Sequence, residues 1–358
     1  MFQNGLLKIS RALLVFCVAV ILLTGCMRST SLTVLQPAQF KVPEHIAKVA
    51  VVDRSKPSNG WLNVLEGLFT GEAIGQDRRS REEAVKGLSL ALTRTPRFSM
   101  VSTGIEMTGS KAGVNLPPPL DWTEIERICG QYSADAVATI ESFDSDNSIN
   151  TRRVENRKKD KNGKYYTEIR YESRQRTGVR IGWRLYDPKT KVILDEFVTD
   201  DYLERNAFGS SERDAVGRLP SQVSVTRDVA YNVGLEYGAR IAPTYVRVQR
   251  KYYPKGKSFK DQMQQATRYA QSGDWDRAAT IWKDVEARAG EDKKTAGRAA
   301  YNMAVAAEKN GSLDVALEWA KKAWNDYGDK KARRYIDVIR RRQYDAQKVE
   351  YQMPGKRV

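Results

Sequence analysis

Two stretches in the C-terminal third of the chain repeat one another without a gap. Residues 266–285 (ATRYAQSGDWDRAATIWKDV) align with residues 304–323 (AVAAEKNGSLDVALEWAKKA) at an offset of 38. Gly273 falls on Gly311, Trp275 on Leu313, Ala278 on Ala316 and Val285 on Ala323. A repeat of this length is one supersecondary unit that cannot bury its apolar side alone and must stack on its neighbours. The spacing predicts two helices per copy, with Gly273 and Gly311 at the turn between them. Small residues at Ala304, Ala316 and Ala323 allow close helix packing, while Tyr269 and Trp282 supply bulk in the first copy. Two copies fall short of the usual three, and Asp329–Glu350 answers the shortage as a capping helix with Tyr335, Val338 and Ile339 inward. A plain four-helix appendage is the alternative.

The run AAYNMAVAAEKNGSLDVALEWAKKA resembles the tetratricopeptide repeat. That family's period is about 34 residues, and a longer loop at Ala289–Thr295 accounts for the difference. The resemblance implies a concave groove that holds an extended peptide. Carried over by position, Arg298, Tyr301, Asn302, Val305 and Lys309 line it, with Met263 and Gln264 in the first copy. Arg298, Asn302 and Lys309 could bind a peptide carboxylate by charge-assisted hydrogen bonds. A solvated helix face is the other reading of the same residues.

Upstream the pattern is different. Val49-Ala50-Val51-Val52, ending in Asp53, is short, β-branched and bounded by polar residues, the signature of a buried strand. A short helix is expected around Trp61–Phe69. Ser80 with Glu83 forms a capping box ahead of Val85, Leu88 and Leu92, and Pro96 stops that helix. Phe98–Thr103 reads as the next strand and Gly104–Leu120 as a loop. Asp121 with Glu124 caps a helix carrying Ile125, Ile128, Cys129 and Tyr132 on one face, and Ala134–Ile140 is a third strand. This β-α-β-α-β order implies parallel strands joined by helical crossovers. Hairpins follow: strands at Tyr165–Arg174, Thr177–Tyr186 and Lys191–Thr199, with a turn at Asp187-Pro188-Lys189-Thr190. A helix spans residues 222–242. The expected fold is an α+β or α/β N-terminal domain, a mixed sheet with flanking helices, over residues 45–250. An all-α tetratricopeptide-like region follows over 251–350, and 351–358 is a tail.

The opening strand, "RFSMV", "YSADAVATIESF" and the closing hairpin "IGWRLYDPKTKVILDEF" together resemble an envelope domain of bacterial proteins. Similar cores occur in penicillin-binding-protein activator lipoproteins, the curli-secretion lipoprotein and the N-terminal domain of the Tol-system propeller protein. The whole chain resembles uncharacterised Bacteroidota lipoproteins that join such a domain to a helical repeat tail.

The N-terminus carries an address. Lys8 and Arg11 precede an apolar run of twelve residues, Ala12–Leu23. A spanning helix needs about 20 residues, whereas an export signal needs only a run of this length. Leu23-Thr24-Gly25-Cys26 resembles the lipobox of bacterial lipoproteins, which implies a signal peptide over 1–25 and diacylglycerol on the Cys26 thiol. Residues 26–44 would then be a lipidated tether, with Met27–Gln39 as its polar start. An uncleaved anchor, or a buried segment with an incidental cysteine, is the alternative. No second stretch of spanning length follows. Met27-Arg28-Ser29-Thr30-Ser31 lacks both the aspartate of inner-membrane retention and the acidic cluster of surface export. By that resemblance the protein sits in the outer membrane, facing the periplasm.

Catalysis has little to draw on. His45 is the only histidine, which sets aside histidine triads and multi-histidine zinc sites. Cys129 takes a helical core position, and no metal or other cofactor is expected. Gly256-Lys257-Ser258 ends like a phosphate-binding loop, but Lys251 stands where a glycine is required. Asp144-Ser145-Asp146 begins like a calcium loop, but Ile149 replaces its glycine. Carboxylate pairs among Asp144, Asp146, Asp200 and Asp201 leave a cell-wall hydrolase as a minor alternative.

Charge is the stronger signal. The chain carries a formal +16, and loss of Lys8 and Arg11 with the signal leaves +14. Residues 151–184 hold twelve basic residues against four acids, interleaved with Tyr165, Tyr166, Tyr171 and Trp183. In the cytoplasm this would suggest nucleic acid; after export, no nucleic acid is expected. Anionic lipid, lipopolysaccharide phosphates or acidic protein are the compatible partners. The hairpin residues Arg157, Lys158, Lys159, Lys161 and Lys164 are the candidate contacts, against a solvated mobile tip as the plain alternative. The expected role is a membrane-anchored, non-enzymatic adaptor binding an envelope protein partner; a subunit of an oligomeric secretion assembly is the alternative.

Overall fold

The computed structural model describes residues 27–57, 72–94, 97–110 and 116–353. Cys26, the expected signal segment, the helix at Trp61–Phe69 and residues 354–358 lie outside the described residues. The chain divides into two compact units. One is a mixed-sheet unit of Pro37–Thr244 with residues 349–353; the other is a mainly helical unit of residues 27–36 and Tyr245–Lys348.

The chain enters the helical unit first, through strand β1 (Arg28–Gln36). The sequence predicts a tether over Met27–Gln39, and the strand corrects it. Leu32 and Val34 are buried while Thr33 between them is exposed, a period of two too short to stand out beside a signal segment.

The mixed-sheet unit contains β2 (Lys48–Pro57), α1 (Glu72–Thr93), β3 (Ser99–Ser110), α2 (Trp122–Tyr132), β4 (Ala136–Lys159), β5 (Tyr165–Asp187), β6 (Val192–Gly209), α3 (Glu212–Gly217) and α4 (Gln222–Ile241). Its sheet order is β3-β2-β4-β5-β6. β2 runs parallel to β3 and β4, and the β4–β5–β6 pairs are antiparallel. The apolar run of β2 is buried on both faces. Val49 and Val51 join Leu88, Leu92, Val229, Val233 and Tyr237 of α1 and α4; Ala50 and Val52 join Ile125, Ile128 and Cys129 of α2. Trp183 stacks on Tyr237 at 4.6 Å. α1 and α4 meet backbone to backbone, for a Cβ on Gly234 would lie 2.0 Å from the Ala84 carbonyl oxygen.

Three boundaries differ from expectation. α1 begins at Glu72, so Ser80 is a buried residue inside the helix rather than its cap. β3 runs through Gly104, whose φ of +67 admits a register shift against β2. β5 is one strand of 23 residues, where the sequence suggests two. Its polar half has no apolar period to betray it, because pairing with β4 and β6 supplies the order.

The helical unit continues with β7 (Thr244–Tyr252), which pairs with β1. It then has α5 (Lys260–Gln271), α6 (Trp275–Arg288), α7 (Lys293–Lys309), α8 (Leu313–Asn325) and α9 (Lys330–Gln352), the last contributing up to Lys348. Gly273 and Gly311 sit between successive helices at φ +92 and +80, the left-handed region that suits glycine. Ala278, Ala304, Ala316 and Ala323 are fully buried around Trp282. An ionic node holds β7 in place. Buried Glu308 accepts two bonds from Arg250, at 2.7 and 2.8 Å, together with the Tyr335 hydroxyl and Arg342 at 3.4 Å.

Candidate functional site

The longest hairpin builds an exposed, charged feature of the mixed-sheet unit. β4 and β5 pair from Val137↔Tyr186 out to Lys159↔Tyr165. β6 stops at Gly209, opposite Tyr171. The six outer pairs, Val154↔Arg170 to Lys159↔Tyr165, therefore extend past β6, a reach of about 20 Å at 3.4 Å per residue. Asp160 closes the turn by accepting from the Asn162 and Lys164 amides at 2.9 and 2.8 Å, with Gly163 at φ +85. Arg157, Lys158, Lys159, Lys161 and Lys164 are thus gathered at one end of one hairpin. Tyr165, Tyr166 and Ile169 are exposed among them. Arg157 lies 4.4 Å over the Tyr165 ring, and Lys158 pairs with Glu168 at 2.8 Å.

The charge continues down the open face of the sheet. Arg174, Arg176 and Arg180 fall on alternate residues of β5 and are exposed. Arg176 covers the Tyr202 ring at 4.0 Å, and Val198, Tyr202 and Phe208 of β6 are exposed on the same face. Asp144 and Asp200 flank Arg180 in register. Asp201 pairs instead with Val179, a residue of the covered face, so the four candidate carboxylates do not converge.

The five residues expected to line a peptide groove do come together, but around the chain's own segment. Asn302 is fully buried: its amide nitrogen donates to the Tyr253 carbonyl and its oxygen accepts from the Tyr253 amide, both at 2.7 Å. Arg298 donates to the Lys255 carbonyl at 2.9 Å. Thr295, which the sequence did not single out, accepts from the Lys257 and Ser258 amides, and Asp292 accepts from the Ser258 amide and hydroxyl. Tyr301 and Val305 are buried, Tyr301 against Tyr253. Lys309 donates to the Ser31 carbonyl of β1 at 3.1 Å. An open groove is therefore corrected to a filled one. The bond between Asn302 and a residue 49 positions earlier leaves no local pattern for sequence reasoning to find.

Other reactive groups are engaged. His45 shares a 3.1 Å hydrogen bond with buried Asp187. Burial opposes ionisation of Asp187, but hydrogen bonds from Thr190, His45 and the Lys189 amide outweigh it and hold its carboxyl below the usual range. Burial first, then the nearby Asp135 and Asp187 charges, push the Cys129 thiol up to about 11. Where the apolar runs of β2 and β4 end, at Asp53 and Glu141, sits a charge network the sequence analysis missed. Glu141, fully buried, is bonded by Arg54 at 2.9 Å, Tyr186 at 2.8 Å and Thr139 at 2.8 Å, with Arg184 at 3.4 Å. Asp53 takes Arg81 at 2.7 Å. The one signal for both carboxylates was their place directly after an apolar strand run. Among the described residues no cluster of potential metal ligands occurs, and no helix is long and apolar enough to cross a membrane.

Comparison with known proteins adds the following. A family model described as a domain of unknown function, DUF8603, matches residues 46–253, and a second, DUF6340, matches residues 264–348. No curated protein matches. Among solved structures, TolB from Acinetobacter baumannii is 13% identical over 59% of this chain, at a TM-score of 0.20. This chain covers 31% of that chain's length. The PelC dodecamer from Paraburkholderia phytofirmans is 12% identical over 60% of this chain and 99% of its own, at 0.23. A homologue of neuraminyllactose-binding hemagglutinin from Helicobacter pylori is 12% identical over 57% and 89%, at 0.21.

Proposed function

Since the chain belongs to the family of the domain of unknown function DUF8603, a description that names no activity, we propose from its own residues that it is a membrane-anchored, periplasmic scaffold of the cell envelope. Cys26 carries the lipid, and the outer membrane is its address. The mixed-sheet unit docks an acidic envelope protein through the basic hairpin. The carrying observation is that hairpin: between Arg152 and Arg170 it holds eight basic residues against three acids, on two strands that extend past the rest of the sheet. Concentrated like charge raises encounter rates with an anionic partner and rejects cationic ones. Tyr165, Tyr166 and Ile169 supply the apolar contact that charge alone does not give. Unpaired strand edges add main-chain hydrogen bonding.

The helical unit is read as tetratricopeptide-like. The 38-residue offset, the matched left-handed glycines and the buried alanines support that. With its groove filled from within, it serves as a platform rather than an open receptor. A non-enzymatic role accords with a lone histidine engaged by Asp187 and a thiol buried under α2's packing.

A photo-crosslinker at Lys161 in living cells tests the docking. The expected product joins the chain to an acidic envelope protein and falls about tenfold when Lys158, Lys159 and Lys164 become serine, a loss of about 1.4 kcal/mol. Equal crosslinking by that variant would overturn the hairpin as the docking element.

A further inference from the structure

The first described residue is already part of the helical unit. Met27 packs against its core, and the Lys331 ammonium lies 2.9 Å from the Met27 sulfur. Arg28 opens β1 and is exposed. From Ser31 onward that strand is fastened by Lys309 to its carbonyl at 3.1 Å and by Arg247 to its hydroxyl at 2.7 Å. No slack chain separates Met27 from folded structure.

The surroundings of Met27 are basic. Lys331 also lies over the Tyr253 ring at 5.1 Å, and Arg298 over the same ring at 5.1 Å. Arg298 in turn binds the Lys255 carbonyl, and the Lys255 and Lys331 side chains are exposed. Arg28 follows Met27 directly, Lys331 contacts it, Arg298 shares the Tyr253 ring with Lys331, and Lys255 adjoins Arg298 through its carbonyl. Acids of this neighbourhood are Asp329, which adjoins Tyr253, and Asp292, which is engaged by Ser258 and Thr295.

We propose that this cluster of cations beginning at Met27 is a docking surface for the anionic headgroups of the leaflet that holds the acyl chains, so that the helical unit lies directly on the membrane. The inference rests on lipidation of Cys26 as proposed above. Cys26 is bonded to Met27, so their Cα atoms are about 3.8 Å apart. Acyl chains on that thiol would therefore enter the bilayer one residue from Met27, whose sulfur Lys331 contacts. Each lysine or arginine held near an anionic surface strengthens association by about fivefold, and the effect decays within a Debye length. A tether of even a dozen free residues would let the body drift beyond that range; this chain has no such spacer.

The test uses the mature acylated protein, beginning at Cys26, with a fluorophore at a Lys255→Cys substitution, in phosphatidylcholine vesicles with or without phosphatidylglycerol, containing headgroup-spin-labelled lipid as quencher. Intact mass establishes acylation first. The expected result is strong quenching that deepens with phosphatidylglycerol and drops several-fold on adding Lys331→Gln. Acylated protein with an unquenched label, indifferent to the anionic lipid, overturns the surface while leaving the anchor intact. A mass without acyl chains removes the anchor and this surface together.

Discussion

Asn302 shows how much a single amide can hold. Both ends of its side chain are spent on the backbone of Tyr253, in a place where water cannot substitute. Replacing it by alanine leaves a buried N–H and a buried C=O unsatisfied, each costing about 1–3 kcal/mol. Asn302→Ala is expected to lose about 3 kcal/mol in urea denaturation, and a loss under about 0.5 kcal/mol would mean the clamp is not formed. Asp292 acts at the other end of the same segment. Burial opposes its ionisation, but bonds from Ser258 and Thr295, hydroxyls and amides both, lower its pKa from the ordinary 3.8. A group with a depressed folded pKa contributes stability that is present above its unfolded pKa and is lost as pH falls toward the folded one. Urea midpoints taken between about pH 5 and pH 2 should therefore fall less steeply for Asp292→Asn than for the parent; parallel slopes would contradict this. The helix cap at Asp121 was legible because cap and amide are neighbours in sequence. The Asn302 clamp was not, because nothing local distinguishes an asparagine that binds a distant backbone from one that faces solvent.

At the scale of elements, apolar periodicity found the longer helices and the covered parts of the strands, but it passed over the short α3 and the first turns of α1. It could not find where β4 and β5 end, since an extended hairpin alternates polar with polar. It also missed β1, whose buried face is three residues long. The α1–α4 contact depends on glycine in a way composition does not reveal. At Gly234 the obstructing atom is a backbone oxygen, which cannot rotate away. Gly234→Ala should cost about 3 kcal/mol through forced separation of the helices. Gly217→Ala, where nothing lies within 4 Å of the new methyl, should be neutral or slightly stabilising. Thermal unfolding of the two variants makes the comparison, and equal midpoints would refute the close packing.

For the whole molecule, the units do not follow one another in sequence. The mixed-sheet unit is inserted between β1 and β7 of the helical unit, an arrangement a linear parse into 45–250 and 251–350 does not express. Under the proposed anchoring, the lipid at Cys26 would join the chain to the membrane beside the helical unit, whereas the proposed docking hairpin belongs to the other unit. That division of labour depends on the anchor. Intact-mass analysis of the purified protein, combined with fractionation of the parent and of Cys26→Ala, tests it most directly. The expected parent begins at Cys26, carries the mass of a diacylglycerol with or without an amide-linked chain, and pellets with membranes, while the variant is released or retains its signal. A full-length, soluble polypeptide with an unmodified Cys26 would contradict the membrane-anchored scaffold outright.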